Sequence, residues 1–128
     1  MSLPNKGKIL ALDLGKRFTG VAVSDASHRV VFPREEIEAR KEDDLVARLK
    51  DLILSENIQA IVLGLPTNAV TEETKQSKWV RSVIEKLNTE LPVLFLDEAY
   101  SSVGLIEKGP GRNDSLVAQK FLEKVLDL

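Results

Sequence analysis

Lys8-Ile9-Leu10-Ala11-Leu12-Asp13-Leu14-Gly15 is followed, after Lys16-Arg17-Phe18, by Thr19-Gly20-Val21-Ala22-Val23-Ser24-Asp25. The first run reads as a buried strand that carries one carboxylate and ends at a glycine. The second reads as its neighbour across a short turn. An aspartate inside an apolar run costs several kcal/mol unless a cation, backbone amides or a phosphate-bound metal pairs with it. Asp13 is therefore the first candidate functional residue.

Outward from this pair, Val30-Val31-Phe32 is expected to form a short third strand, which Pro33 confines to an edge or ends. The period then changes. Leu45, Val46, Leu49, Leu52 and Ile53 fall on one helical face, with Lys41-Glu42-Asp43-Asp44 placing acids in the first turn and Asn57 ending the helix. Ala60-Ile61-Val62-Leu63 is a continuous apolar strand, stopped by Gly64-Leu65-Pro66. Trp79, Val80, Val83, Ile84 and Leu87 form the buried stripe of a second helix. Pro92 to Leu96 is a further buried strand running into Asp97-Glu98. From Ser115 the tail reads as an amphipathic helix with Leu116, Val117, Phe121, Leu122, Val125 and Leu126 inward. The expected order is β-β-β-α-β-α-β-α, with room for a short helix near Ser102 to Lys108. This is an α/β fold: a mixed five-stranded sheet, three antiparallel strands followed by parallel ones, with helices on both faces. Residues 1–128 read as one domain. The stretch Lys108-Gly109-Pro110-Gly111-Arg112-Asn113 reads as a turn or loop.

Composition narrows the chemistry. With 43% hydrophobic and 30% charged residues, the chain matches ordinary globular proteins. It has no cysteine, which excludes disulfides and thiolate metal sites, and its one histidine, His28, excludes a multi-histidine site. No run approaches the roughly 20 apolar residues of a membrane span, and the first residues lack a signal-type stretch. A cytoplasmic protein without membrane contact is expected. A net charge of −2 provides no global basic field, so any nucleic-acid contact must rest on local basic clusters and on metal.

Asp13, Glu98 and Asp114 each stand at a strand or helix end. Carboxylates from separate elements are what a hard divalent cation requires, and two such ions about 3.5–4 Å apart hold an attacking water and a leaving oxygen in line. Each acid also has a plainer reading: Asp114 as an N-cap within Asn113-Asp114-Ser115, Asp97-Glu98 as a solvated strand end. Lys16 and Arg17 follow Asp13, while Lys108 and Arg112 precede Asp114; these four are the candidate phosphate-holding residues. Charged turns on any protein would look the same. Lys75, Lys78 and Arg81 read as a solvated face and Trp79 as core. Tyr100 is placed to stack a base or to pack. Ser101 and Ser102 have only His28 as a possible histidine base and no nucleophile elbow, which argues against a serine nucleophile, and His28 reads as exposed in the turn Ala26-Ser27-His28-Arg29.

Four segments together carry a resemblance. Asp13 to Asp25, Gly64-Leu65-Pro66 with Asn68, Leu96-Asp97-Glu98 with Ser101-Ser102, and Asp114-Ser115-Leu116-Val117-Ala118 resemble, in order, the motifs of the YqgF/RuvX family, the pre-16S rRNA nucleases also called Holliday junction resolvase-like proteins. The resemblance implies a ribonuclease H-like fold and phosphodiester hydrolysis with Mg2+ or Mn2+. Asp13, Glu98 and Asp114 would be the catalytic metal ligands. The implied role is trimming the 5′ end of the small-subunit rRNA precursor, with pre-rRNA or branched DNA as partner and a monomer or weak homodimer as the unit. Two family features are absent: Ala99 stands where an arginine usually follows the Asp-Glu pair, and Val70-Thr71-Glu72-Glu73 replaces a common glycine. The segment from Ser102 to Asn113 is also short. These departures motivate a second reading, a catalytically weakened RNA- or ribosome-associated binding module on the same fold. A third reading, the phosphate-binding hairpin of the actin and sugar-kinase ATPases, would need two lobes to enclose a nucleotide.

Overall fold

The computed structural model describes residues 3–65, 75–97 and 114–128. The elements are β1 (Lys8–Asp13), β2 (Phe18–Ser24), β3 (Val31–Glu38), α1 (Glu42–Ser55), β4 (Ile58–Leu65), α2 (Lys75–Leu87), β5 (Val93–Asp97) and α3 (Asp114–Val125). The five strands form one sheet in the order β3-β2-β1-β4-β5. β1 pairs antiparallel with β2 and parallel with β4, β2 pairs antiparallel with β3, and β4 pairs parallel with β5. The mixed sheet expected from the sequence is the one observed, and the expected short helix near Ser102 to Lys108 lies outside the described residues.

β1 occupies the centre because both of its faces are apolar. Ile9 to Leu12 are wholly buried, and the period-2 alternation of a strand divides them between two cores. Leu10 and Leu12 join Val21, Val23, Ile61 and Leu63 against α1 and α2. Ile9 and Ala11 join Ala22, Ala60 and Val62 against Ala118 and Leu122 of α3. Helices thus cover both faces, with α1 and α2 on one and α3 on the other.

β3 runs well past Phe32, the limit expected for the third strand. Pro33 sits inside it, opposite Ala22. The strand tolerates the proline because β3 is the sheet edge, where one side needs no ladder donor. Its exposed residues from Phe32 to Glu35 hide its length from an apolar count. β4 likewise continues through Gly64 and Leu65 rather than stopping before them.

Helix ends follow local rules. Glu42, Asp43 and Asp44 fill the first turn of α1, where carboxylates complement the helix dipole. Asn57 and Asn88, with φ of 54° and 50°, follow α1 and α2 in the left-handed region that asparagine tolerates at helix ends. The β2–β3 turn is organised by Asp25, whose carboxylate accepts the backbone N–H groups of Ser27, Arg29 and Val30 and the Ser27 hydroxyl. The Ser27 hydroxyl, then the backbone donors, hold its pKa well below the usual carboxylate value. His28 in this turn is half-buried rather than exposed, and its Nε2 lies 2.7 Å from the Gly7 carbonyl. Trp79 is likewise half-buried, packed on the α1–α2 core. Among the described residues no helix is long and apolar enough to cross a membrane.

Candidate active site

Three parallel strands, β1, β4 and β5, end on the same edge of the sheet. β3 points the same way through two antiparallel steps, so its end meets them. Asp13 is the last residue of β1. Its position continues the row of Ile9 and Ala11, the row that faces α3. It is only 9% exposed, and it takes part in the interactions of the fold rather than standing alone. Its cross-strand neighbour is Gly20, which brings no side chain against the carboxylate.

The turn after Asp13 is tightly constructed. A Cβ on Gly15 would come within 2.3 Å of the Phe18 carbonyl oxygen. Thr19 Oγ1 lies 3.5 Å from both the N–H and the carbonyl oxygen of Gly15. Gln76, at the start of α2, donates from Nε2 to the Leu14 carbonyl at 3.4 Å, so α2 begins beside the same edge.

α3 is fixed there as well. Ser115, 8% exposed, accepts the Val21 N–H at its Oγ, 3.1 Å away. Val21 adjoins Gly20, the partner of Asp13. The bond lies where the β2–β3 register slips, between Thr19 and Val21. Asp114, one residue earlier, therefore begins α3 within a residue or two of the Asp13–Gly20 pair. By sequence Ser115 reads as a capping residue; nothing in the local pattern reveals a partner in β2.

Of the three predicted acids, Asp13 is described in full, and Asp114 is described only as the first residue of α3. Glu98 follows β5 by one residue and lies outside the described residues, as do Lys108 and Arg112. Among the described residues no three acid or histidine side chains gather in a metal-holding group. Lys16 and Arg17 are exposed on the turn after β1. Arg17 Nε lies 3.3 Å from Glu38 Oε2, and its guanidinium sits 5.0 Å from the centre of the Phe18 ring.

The RuvX family profile, described as Holliday junction resolvase, matches residues 7–127. The chain belongs to the RuvX family. A relative from Nitratidesulfovibrio vulgaris, named "Putative pre-16S rRNA nuclease", is 37% identical over 122 residues, covering 94% of this chain and 84% of the relative. A relative of the same name from Mesorhizobium japonicum is 37% identical over 134 residues, covering 94% of this chain and 81% of the relative. Among solved structures, Thermus thermophilus RuvC in complex with a Holliday junction substrate superposes with a TM-score of 0.64 at 12% identity, covering 94% of each chain. The fowlpox virus Holliday junction resolvase superposes with a TM-score of 0.56 at 13% identity, covering 94% of this chain and 99% of that one. The fold is ribonuclease H-like, as the motif resemblance implied.

Proposed function

We propose that this RuvX-family chain is a metal-dependent nuclease that hydrolyses phosphodiester bonds in the cytoplasm, acting on the 5′ end of the small-subunit rRNA precursor. The unit is one ribonuclease H-like domain over residues 1–128, as a monomer or weak homodimer. One observation carries the reading: a buried carboxylate, Asp13, ends the central strand on the face where α3 begins. The name shared by the relatives supports the substrate class.

Carboxylate oxygens at such an edge suit a hard cation, and Asp13, Glu98 and Asp114 would hold Mg2+ or Mn2+. When bound, such an ion polarises a phosphoryl oxygen and lowers the pKa of a bound water. The protein's part is positional. β1 fixes Asp13 through a ladder buried on both faces. The Ser115–Val21 hydrogen bond fixes the start of α3. Glu98 follows directly on β5, whose Leu94 and Leu96 pack on the α3 side of the sheet. Lys16, Arg17, Lys108 and Arg112 are the proposed holders of the flanking phosphates. Arg17 can exchange Glu38 for a phosphate, because an exposed ion pair contributes only about 0–1 kcal/mol.

The test is cleavage of short single-stranded and structured RNA with Mg2+ or Mn2+, comparing the native chain with Asp13→Asn. The native chain should cleave, and the variant should lose at least about 100-fold, since even outer-shell partners of metal ligands contribute 10–100-fold. Equal cleavage by both proteins would refute the assignment of Asp13. Cleavage by neither would favour the binding-module reading.

A further inference from the structure

The edge that carries Asp13 also borders a concave feature, on the α1–α2 side of the sheet. A pocket of about 270 Å³ lies between the turn after β1, the β3–α1 connection and α2. Its walls include Lys16, Arg40, Lys41, Glu42 and Trp79. The backbone holds these pieces together, for the Ala39 N–H donates to the Arg17 carbonyl at 2.9 Å. Lys16 is thereby shared between the turn that follows Asp13 and this pocket.

The charges of the pocket are unevenly satisfied. Its one acid, Glu42, is bound to Lys86 Nζ at 2.6 Å. That hydrogen bond first, and then the Trp79 N–H and the nearby Lys16 charge, lower the Glu42 pKa despite some burial. Glu42 therefore stays ionised and occupied. Asp43 lines a different hollow, with Lys50 and Lys86. Lys16, Arg40 and Lys41 are all exposed and form no ion pair among the described residues. Other cations on the sheet are already engaged, as with Arg17 on Glu38 and both Lys8 and Arg34 on Glu56. The pocket thus concentrates three available cations around an indole wall, in a chain whose net charge is −2.

We propose that this pocket is a phosphate subsite for the nucleic-acid strand, in which Arg40 and Lys41, together with Lys16, hold backbone phosphates away from the scissile bond. The proposal rests on the reading of the chain as a nucleic-acid-binding enzyme and extends its footprint around the end of the β2–β3 ribbon. Trp79, half-buried against the α1–α2 core, provides an apolar wall rather than a sequence-reading group. The ligand chemistry is the phosphodiester backbone common to RNA and DNA.

The test is fluorescence anisotropy with a labelled single-stranded RNA and a DNA of the same sequence, across a NaCl series in EDTA, so that binding is read without cleavage. Arg40→Ala/Lys41→Ala is compared with the native chain and with a charge-matched control, Arg29→Ala/Lys50→Ala, away from the pocket. The pocket variant should bind both strands about ten-fold more weakly at low salt. Its slope of log K against log salt should fall by about 1.4, or about 0.7 for each of two phosphates no longer neutralised. The control should keep the native slope, and all three proteins should melt alike because the altered residues are exposed. Native affinity and slope in the pocket variant would overturn the subsite even where Asp13→Asn has abolished cleavage. Equal losses in the control, or a loss confined to one type of strand, would also overturn it, as would a native chain that binds neither. Weakened binding by the pocket variant, in a protein that cleaves nothing, would uphold the subsite while the nuclease reading fails.

Discussion

At the scale of single residues, Ser115 links the candidate site to the core. Its hydroxyl accepts the Val21 N–H inside the sheet, and it stands next to Asp114. Ser115→Ala leaves that buried N–H without its acceptor, which costs about 1–3 kcal/mol. Urea denaturation should show a lower midpoint with an unchanged slope; a variant as stable as the native chain would show that Ser115 does not anchor α3. Asp13 is legible in the sequence because a lone charge in an apolar run has few inexpensive explanations. Ser115 is not, because its partner lies 94 residues away and a serine after Asn113-Asp114 already has a local explanation as a cap. Arg40 and Lys41 are hidden for a similar reason. They precede the acids of α1, which draw attention as dipole complements, and only the topology brings the end of β3 to the edge occupied by Asp13.

At the scale of elements, α3 shows a correct period with a shifted phase. The helix and its amphipathic character follow from the spacing of Phe121, Leu122 and Val125. Leu116, however, is 41% exposed, whereas Ala118 is wholly buried between the helix and the sheet. A scan that weights large apolar residues puts Leu116 inward and overlooks the small residue that lets the helix approach the strands. Ala118→Leu should therefore destabilise the fold by about 1–3 kcal/mol through overpacking, while Leu116→Ala should stay within about 0.5 kcal/mol of the native chain. Thermal melts of the two variants check this directly, and a reversed order would place the buried stripe of α3 elsewhere. β3 reads short from sequence for a related reason: residues on both faces of this edge strand are exposed from Phe32 to Glu35, so its polar residues and Pro33 resemble a strand end.

At the scale of the whole molecule, the order of elements and the mixed sheet are legible because continuous apolar runs and helical stripes alternate along the chain. Placing all the parallel strand ends on one edge then follows from topology alone. That convergence is the basis of the functional account, since acids distant in sequence can meet only where β1, β5 and the start of α3 are brought together. The most direct measurement is a crystal structure of the protein soaked in Mn2+, with the ion located by its anomalous scattering. The account predicts an ion ligated by carboxylate oxygens of Asp13, Glu98 and Asp114. An ion bound elsewhere, or any one of these carboxylates turned away from a bound ion at this edge, would contradict it.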